Sequence, residues 1–178
     1  LRSEFATADD AIRNKVDQFF SNPRSADPQL SFLATNSQLE TDIEFERFSI
    51  GGMLEKWSDR LEDANAEDDL FEYLDEAKQN VTKIRDFLDD TALVVNALVP
   101  NSNLSQTTIN TWKGAVLAAR TSVNASLGSL SSTRDNLSNK IAGYDIAKKQ
   151  KKMERSVELY RQGKTKVTFV KKGTASEE

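Results

Sequence analysis

Between Leu70 and Leu98 the apolar residues recur at alternating steps of four and three: Leu70, Leu74, Ala77, Val81, Ile84, Leu88, Thr91, Val95 and Leu98. Seven of these nine are large and apolar, and the other two are small. That spacing is the inward seam of a helix packed on partner helices. A strand would show period two. The intervening Asp75, Glu76, Lys78, Gln79, Lys83, Arg85 and Asp86 do not alternate in that way. Each large seam residue withdrawn from water stabilises by about 1.5–3 kcal/mol.

The same periodicity predicts three further helices. From Leu1 to Phe20, the residues Phe5, Ala8, Ile12, Val16 and either Phe19 or Phe20 share one face. The entry has no convincing cap, so either this helix continues upstream or the first residues are a cloning remnant. Asn22-Pro23 and Asp27-Pro28 break the chain over 21–29, because proline disfavours helix in the residue before it. A second helix is expected from about Leu30 to Asp63. Ile43, Ile50 and Trp57 repeat every seven residues, Leu54 and Leu61 lie on the adjacent row, and Phe45 and Phe48 widen the apolar surface. Gly51-Gly52 in its middle costs about 1 kcal/mol per glycine relative to alanine. Close approach of a neighbouring helix explains such a pair, and a functional hinge is the alternative.

An acid-rich turn at 65–69 suits the N-terminus of the third helix, which ends near Val99-Pro100. The fourth helix follows a polar loop at 101–107, with Asn103 or Ser105 as its N-cap. Ile109, Val116, Val123, Leu130, Leu137 and Tyr144 repeat every seven residues, with Trp112, Ala119 and Ser126 on the companion row. The row turns polar at Thr133, Lys140 and Lys151. Helix is expected to about Arg161, with Gly163 as its stop, and 167–170 reads as either strand or fraying helix. The fold class is therefore all-α: an antiparallel four-helix bundle over 1–140 with an elongated C-terminal helix, followed by an extended basic stalk and tail over 141–178. Leu74, Val81, Ile84, Leu88, Val95, Trp112, Val116 and Val123 are expected to be buried, with each indole N–H reaching a polar group at the edge.

Length suits one domain, or one domain with an extended appendage, and seven glycines and three prolines suit long helices. Residues 1–99 carry 22 acidic and 10 basic side chains, whereas residues 100–178 carry 6 and 14. Such a dipolar chain suits helices attracting each other, or neighbouring copies, and the overall balance speaks against a dedicated nucleic-acid binder. Cysteine and histidine are both absent. The commonest general base, the thiolate nucleophile and the commonest transition-metal ligands are thereby removed. No catalytic, cofactor-binding or metal residues are assigned, and no enzyme is expected. The acidic clusters Asp9-Asp10, Glu67-Asp68-Asp69 and Asp89-Asp90 lack the calcium-loop spacing and read as solvated faces and first turns. The basic run Lys148-Lys149-Gln150-Lys151-Lys152 has no interleaved aromatic residues and reads as a solvated or partner-facing helix face. The Ser/Thr-rich stretch 101–108 has no base or oxyanion loop beside it. Asn124-Ala125-Ser126 matches a glycosylation pattern but falls on a helix row expected to be buried. No run of about 18 apolar residues exists to span a bilayer. No leader pattern opens the chain, so signals for export or anchoring are expected outside these residues.

The stretch Ala8-Asp9-Asp10-Ala11-Ile12-Arg13-Asn14-Lys15-Val16-Asp17-Gln18-Phe19-Phe20-Ser21-Asn22-Pro23-Arg24 resembles the helical region of HlyD-type membrane-fusion proteins, in the form found in Patescibacteria. Ala97 to Trp112 with its Pro100-Asn101-Ser102-Asn103-Leu104-Ser105 segment, Ala118 to Asn124, and Lys171-Lys172-Gly173-Thr174 carry the same resemblance. It implies a structural and interaction module of an extracytoplasmic, cell-envelope adaptor in a secretion or efflux system. The implied partners are other subunits of that complex, with no nucleic acid and no direct insertion of this stretch into the membrane. The sequence departs from the family by lacking the lipoyl-like β half and by placing two extra helices between the arms of the usual hairpin. No functional residue is carried over. The competing reading is an extracytoplasmic four-helix-bundle sensor domain of a chemoreceptor or sensor kinase. A pocket lined by convergent arginines and polar groups favours the sensor, and a continuously packed core favours the adaptor.

Helix length adds one expectation. The third helix, at about 32 residues, spans roughly 48 Å, and an antiparallel fourth helix matches it by about Lys140. Helix continuing to Arg161 overshoots by roughly 20 residues, yet keeps Ile141, Tyr144, Ile146, Val157 and Tyr160. An apolar stripe on a lone helix is marginal in water. Residues 141–165 are therefore expected to pair with an upstream arm or to self-associate with another copy, unless the helix folds back at Gly143 or frays.

Overall fold

The computed structural model describes residues 1–65 and 68–163. The chain is all-α apart from one two-residue strand pair, and it divides into two units, Leu1–Arg134 and Asp135–Glu178.

In the first unit, α1 (Arg2–Asp10) runs directly into a π-helical segment, Ala11–Val16, and a 3₁₀ turn, Asp17–Phe19. The wider π turn shifts the buried face along the chain. Ile12, Val16, Phe19 and Phe20 are all buried, Phe19 at the end of the 3₁₀ turn and Phe20 in the strand that follows it. The chain then leaves the helix at Phe20. Strand β1 (Phe20–Ser21) pairs antiparallel with β2 (Gln29–Leu30), a hairpin that the proline-rich loop concealed in the sequence.

Helix α2 spans Ser37–Asp63 and begins seven residues later than its apolar pattern predicts. The backbone N–H groups of Leu30, Ser31 and Ala34 are satisfied outside a helix. Leu30 donates to the Glu44 carboxylate at 2.8 Å, Ser31 to the Phe19 carbonyl at 2.8 Å, and Ala34 to Glu40 at 2.9 Å. Asn36 then caps the helix, its side chain accepting from the Gln38 and Leu39 N–H groups. Phe45 and Phe48 do not widen the core as expected. Both are exposed, because they lie off the row of Ile43, Ile50, Leu54, Trp57 and Leu61 that faces inward.

Helix α3 (Leu70–Ala97) is capped by Asp69, which accepts from the Phe71 N–H at 2.9 Å. Its seam is buried from Leu74 to Val95, while Leu70 at the end is half exposed. Helix α4 (Gln106–Arg161) starts at Ser105, whose Oγ accepts from the Thr108 N–H at 3.1 Å. Asn101 caps the preceding loop by accepting from the Asn103 and Leu104 N–H groups. Gly163 at φ +66° follows the helix in the left-handed conformation that ends many helices, as its position predicts. The segment 167–170 lies outside the described residues.

The pairing of helices in the first unit is fixed by residue contacts. Arg2 donates to the Leu61 carbonyl at 3.0 Å, and Phe5 meets Trp57 edge to face at 5.3 Å, so α1 and α2 run in opposite directions. Arg60 reaches Glu72 at 2.7 Å and Glu76 at 3.0 Å, which closes the α2–α3 turn. Lys113 Nζ donates to the Asn96 carbonyl, and Arg120 pairs with Asp89, as does Arg134 with Asp75. Each step forward on α4 is matched by an equal step back on α3, which is the register of an antiparallel pair on a seven-residue repeat. Phe19 against Trp112 at 5.3 Å and Ser129 donating to Glu4 at 3.0 Å place α4 along α1.

Two expectations about the tryptophans change. Trp112 is half-buried rather than buried, and its ring meets Phe19 at 5.3 Å and Phe32 at 5.4 Å. Among the described residues neither indole N–H has a hydrogen-bond acceptor, and the rings meet phenylalanines instead. Asn124 is exposed rather than buried, while Ser126 two residues on faces inward.

In the second unit, the described residues continue α4 to Arg161. Leu137 and Leu159 are half exposed and all the others are exposed, including Ile141, Tyr144, Ile146, Met153, Val157 and Tyr160. Among the described residues no helix is long and apolar enough to cross a membrane.

Candidate functional site

The first unit carries an open cleft of about 690 Å³ between the 23–26 loop, the middle of α2 and the N-terminal half of α3. Its lining includes Arg13, Arg24, Arg47, Lys56 and Lys83, with Ser25, Ser49 and Asn80, and with Pro23, Phe48 and Met53 as apolar contacts. Cationic and hydrogen-bonding groups thus converge beside apolar ones, as in sites for small polar ligands.

Local sequence builds this cleft. Asn22 takes the left-handed conformation at φ +51°, which asparagine tolerates better than most residues. The Ser25 N–H closes the turn on the Asn22 carbonyl at 3.0 Å, and Ser25 Oγ accepts from the Asp27 N–H at 3.1 Å. This turn brings Arg24 Nε to 3.7 Å from Asp17 Oδ2. Arg47 occupies the inward row of α2 and donates from Nε to Asp17 Oδ1 at 2.7 Å. Gly51, one turn later, leaves space for the Arg47 guanidinium: a Cβ there would lie 3.3 Å from Nη1. A Cβ at Gly52 would meet nothing within 4 Å. The glycine pair therefore serves an arginine and an open cleft on its own helix. The expected close approach of a neighbouring helix is not what it accommodates.

Charge in the cleft is unbalanced toward the cation. Asp9 holds Arg13 at 2.7 Å, and Arg60 holds Glu76. Asp17 is shared by two guanidiniums, and its Oδ2 is buried with no hydrogen bond. Lys56, Lys83 and Glu55 complete the charged lining. Beside Arg47 on α2, Glu46 lies in the negative field of Asp90, Asp42 and Asp86. Burial first, and then these three negative charges, push its carboxyl above the ordinary value of 4.5, against the opposing Lys83. Glu46 Oε2 is also buried without a hydrogen bond.

The clusters singled out in the sequence are dispersed into structural roles. Asp10 accepts from Asn14 at 2.8 Å, Asp69 caps α3, and Asp89 binds Arg120. Asp68 accepts from Asn65 and from the Tyr73 hydroxyl, and these bonds hold its carboxyl below the usual range. Among the described residues no three acidic side chains gather where a metal ion could be held. Lys148, Lys149, Lys151 and Lys152 are exposed on the second unit. The 101–108 stretch supplies the two caps before α4.

Sequence reasoning missed Arg47, Asp17 and Arg24. One signal was present: Arg47 interrupts the inward row between Ile43 and Ile50 and is followed by Gly51-Gly52. A charged residue on an apolar row beside glycines marks a built polar site. Asp17 gave no such signal, because only the π turn rotates it inward. Compared with known proteins, the chain matches no family model, no curated protein and no solved structure.

Proposed function

We propose that the chain is a non-catalytic interaction module: the helical part of an extracytoplasmic adaptor of HlyD type in a secretion or efflux system. On this reading the first unit is an up-down-up-down antiparallel four-helix bundle, and the second is a helical arm that packs on another subunit of the complex. The observation that carries the reading is the contrast between the units. The first buries its inward rows from Ile12 to Leu130, with only Leu70, Leu98 and Trp112 partly open, whereas the second leaves Ile141, Tyr144, Ile146, Met153, Val157 and Tyr160 exposed on a helix. A helix with uncovered apolar residues gains stability by acquiring a partner. The resemblance at 8–24, 97–112 and 118–124 supplies the kind of complex.

Photo-crosslinking from Tyr144 and Val157 in the native envelope tests this. Adducts with a transporter or outer-component subunit are expected. Adducts only between copies of the chain would replace the arm's partner with self-association. Cytoplasmic fluorescence of a green-fluorescent fusion at the native locus would overturn the extracytoplasmic assignment. The second reading, a ligand-binding sensor bundle, is favoured by the arginine-lined cleft. Replacement of the flanking regions' output by a kinase or receptor signal that responds to a small molecule would decide for it.

A further inference from the structure

We propose that the cleft bounded by the 23–26 loop, α2 and α3 binds a small organic carboxylate, with Arg47 and Arg24 as the anion-holding pair. The proposal stands apart from the choice between adaptor and sensor, because it rests on the first unit's own geometry.

Arg47 is the principal anion-holding group. It is 3% exposed, yet it is one of the groups lining an open cleft. Among the described residues its single hydrogen bond runs from Nε to Asp17. A guanidinium carries five N–H donors. The Asp17 bond orients the group, and the donors on Nη1 and Nη2, which have no protein acceptor and are not sealed from solvent, open on the cleft. Guanidinium donors opening on a cleft present a fork that a planar carboxylate matches in a bidentate pair. A stability role is a poor explanation for the arrangement, since buried ion pairs are commonly no better than well-packed apolar residues of similar volume.

Three further observations point to an anion. Arg24 shares Asp17 with Arg47, so the pair retains net positive charge. Lys56 and Lys83 add to it from α2 and α3. Gly52 removes the side chain that would otherwise project where its Cβ meets only open space. The apolar groups Phe48, Met53 and Pro23 choose between anions. Inorganic phosphate has nothing to set against them, whereas the carbon body of an organic acid does. A volume of about 690 Å³ admits a ligand of that size.

The test is a thermal-shift and NMR titration of the full chain with phenylacetate and with succinate. Inorganic phosphate and sodium chloride at equal ionic strength serve as comparisons. A saturable rise in Tm with at least one carboxylate is expected, with NMR shifts confined to 23–26, 47–56 and 76–83. Gly52→Leu should melt at or above the parent temperature and lose the response. Arg24→Ala, on an exposed turn, should weaken the Kd about tenfold by removing one charged contact. Arg47→Ala is not relied on, because it strands Asp17. The proposal is overturned by a Tm rise no larger than that from chloride, by an undiminished response in Gly52→Leu, or by phosphate binding as tightly as either carboxylate.

Discussion

Arg47 and Asp17 form a buried ion pair, Nε to Oδ1 at 2.7 Å, that ties the middle of α2 to the 3₁₀ turn following the π segment. The two side chains are 3% and 8% exposed, so the pair is largely withdrawn from water. Arg47→Ala should destabilise by about 3–5 kcal/mol in urea denaturation, because it leaves a largely buried Asp17 with only the longer, 3.7 Å contact to the exposed Arg24. Asp17→Leu combined with Arg47→Met should recover most of that loss. A double variant as unstable as the single one would show that the pair contributes more than mutual neutralisation.

Glu46 predicts a pH dependence. Its folded-state carboxyl titrates above the ordinary 4.5, so between the two values the folded chain holds a proton that the unfolded chain has released. The associated stability is fully present below the unfolded value and is lost as pH rises through the folded one. Glu46→Gln removes this loss. Its Tm should exceed the parent's at neutral pH, and the difference should shrink on acidification through the carboxylate range.

The seam of α3 sets the core energetics. Leu88 is fully buried, and Leu88→Ala should cost about 2–5 kcal/mol, depending on how far the site collapses. Leu93 on the same helix is exposed, and Leu93→Ala should stay within about 0.5 kcal/mol of the parent. Equal losses at the two positions would contradict the seam.

Phe19 is fully buried against the half-buried Trp112. In a Trp57→Phe background, which leaves Trp112 as the sole indole, Phe19→Ala should shift the emission to longer wavelength. The same substitution should destabilise by about 3–5 kcal/mol. An unchanged spectrum would mean that the π segment does not deliver Phe19 to that ring.

Arg120 and Asp89 lie on the partly exposed face of the α3–α4 pair, 2.6 Å apart. A double-mutant cycle should yield a coupling of only about 0.2–1 kcal/mol, declining with added salt. The pair sets register more than stability.

The sequence by itself determined the helices. The four-three spacing of Leu74 to Val95 and the seven-residue repeat of Ile109 to Leu130 identify inward faces, because a helix packed on one side must repeat every three to four residues. Gly163 marked the end of α4 for an equally local reason, its freedom at positive φ. Tertiary structure decided what local patterns cannot express. The start of α2 moved from Leu30 to Ser37 because Phe19, Glu40 and Glu44 take the intervening N–H groups, and two of these acceptors follow the segment in the chain. Phe45 and Phe48 carry the same hydrophobicity as core residues, and only the placement of α3 leaves them outside. Asp17 is polar in any local reading. It is buried because the π segment turns it toward an arginine thirty positions away, and the cleft exists only where that contact, the 23–26 turn and two glycines coincide in space.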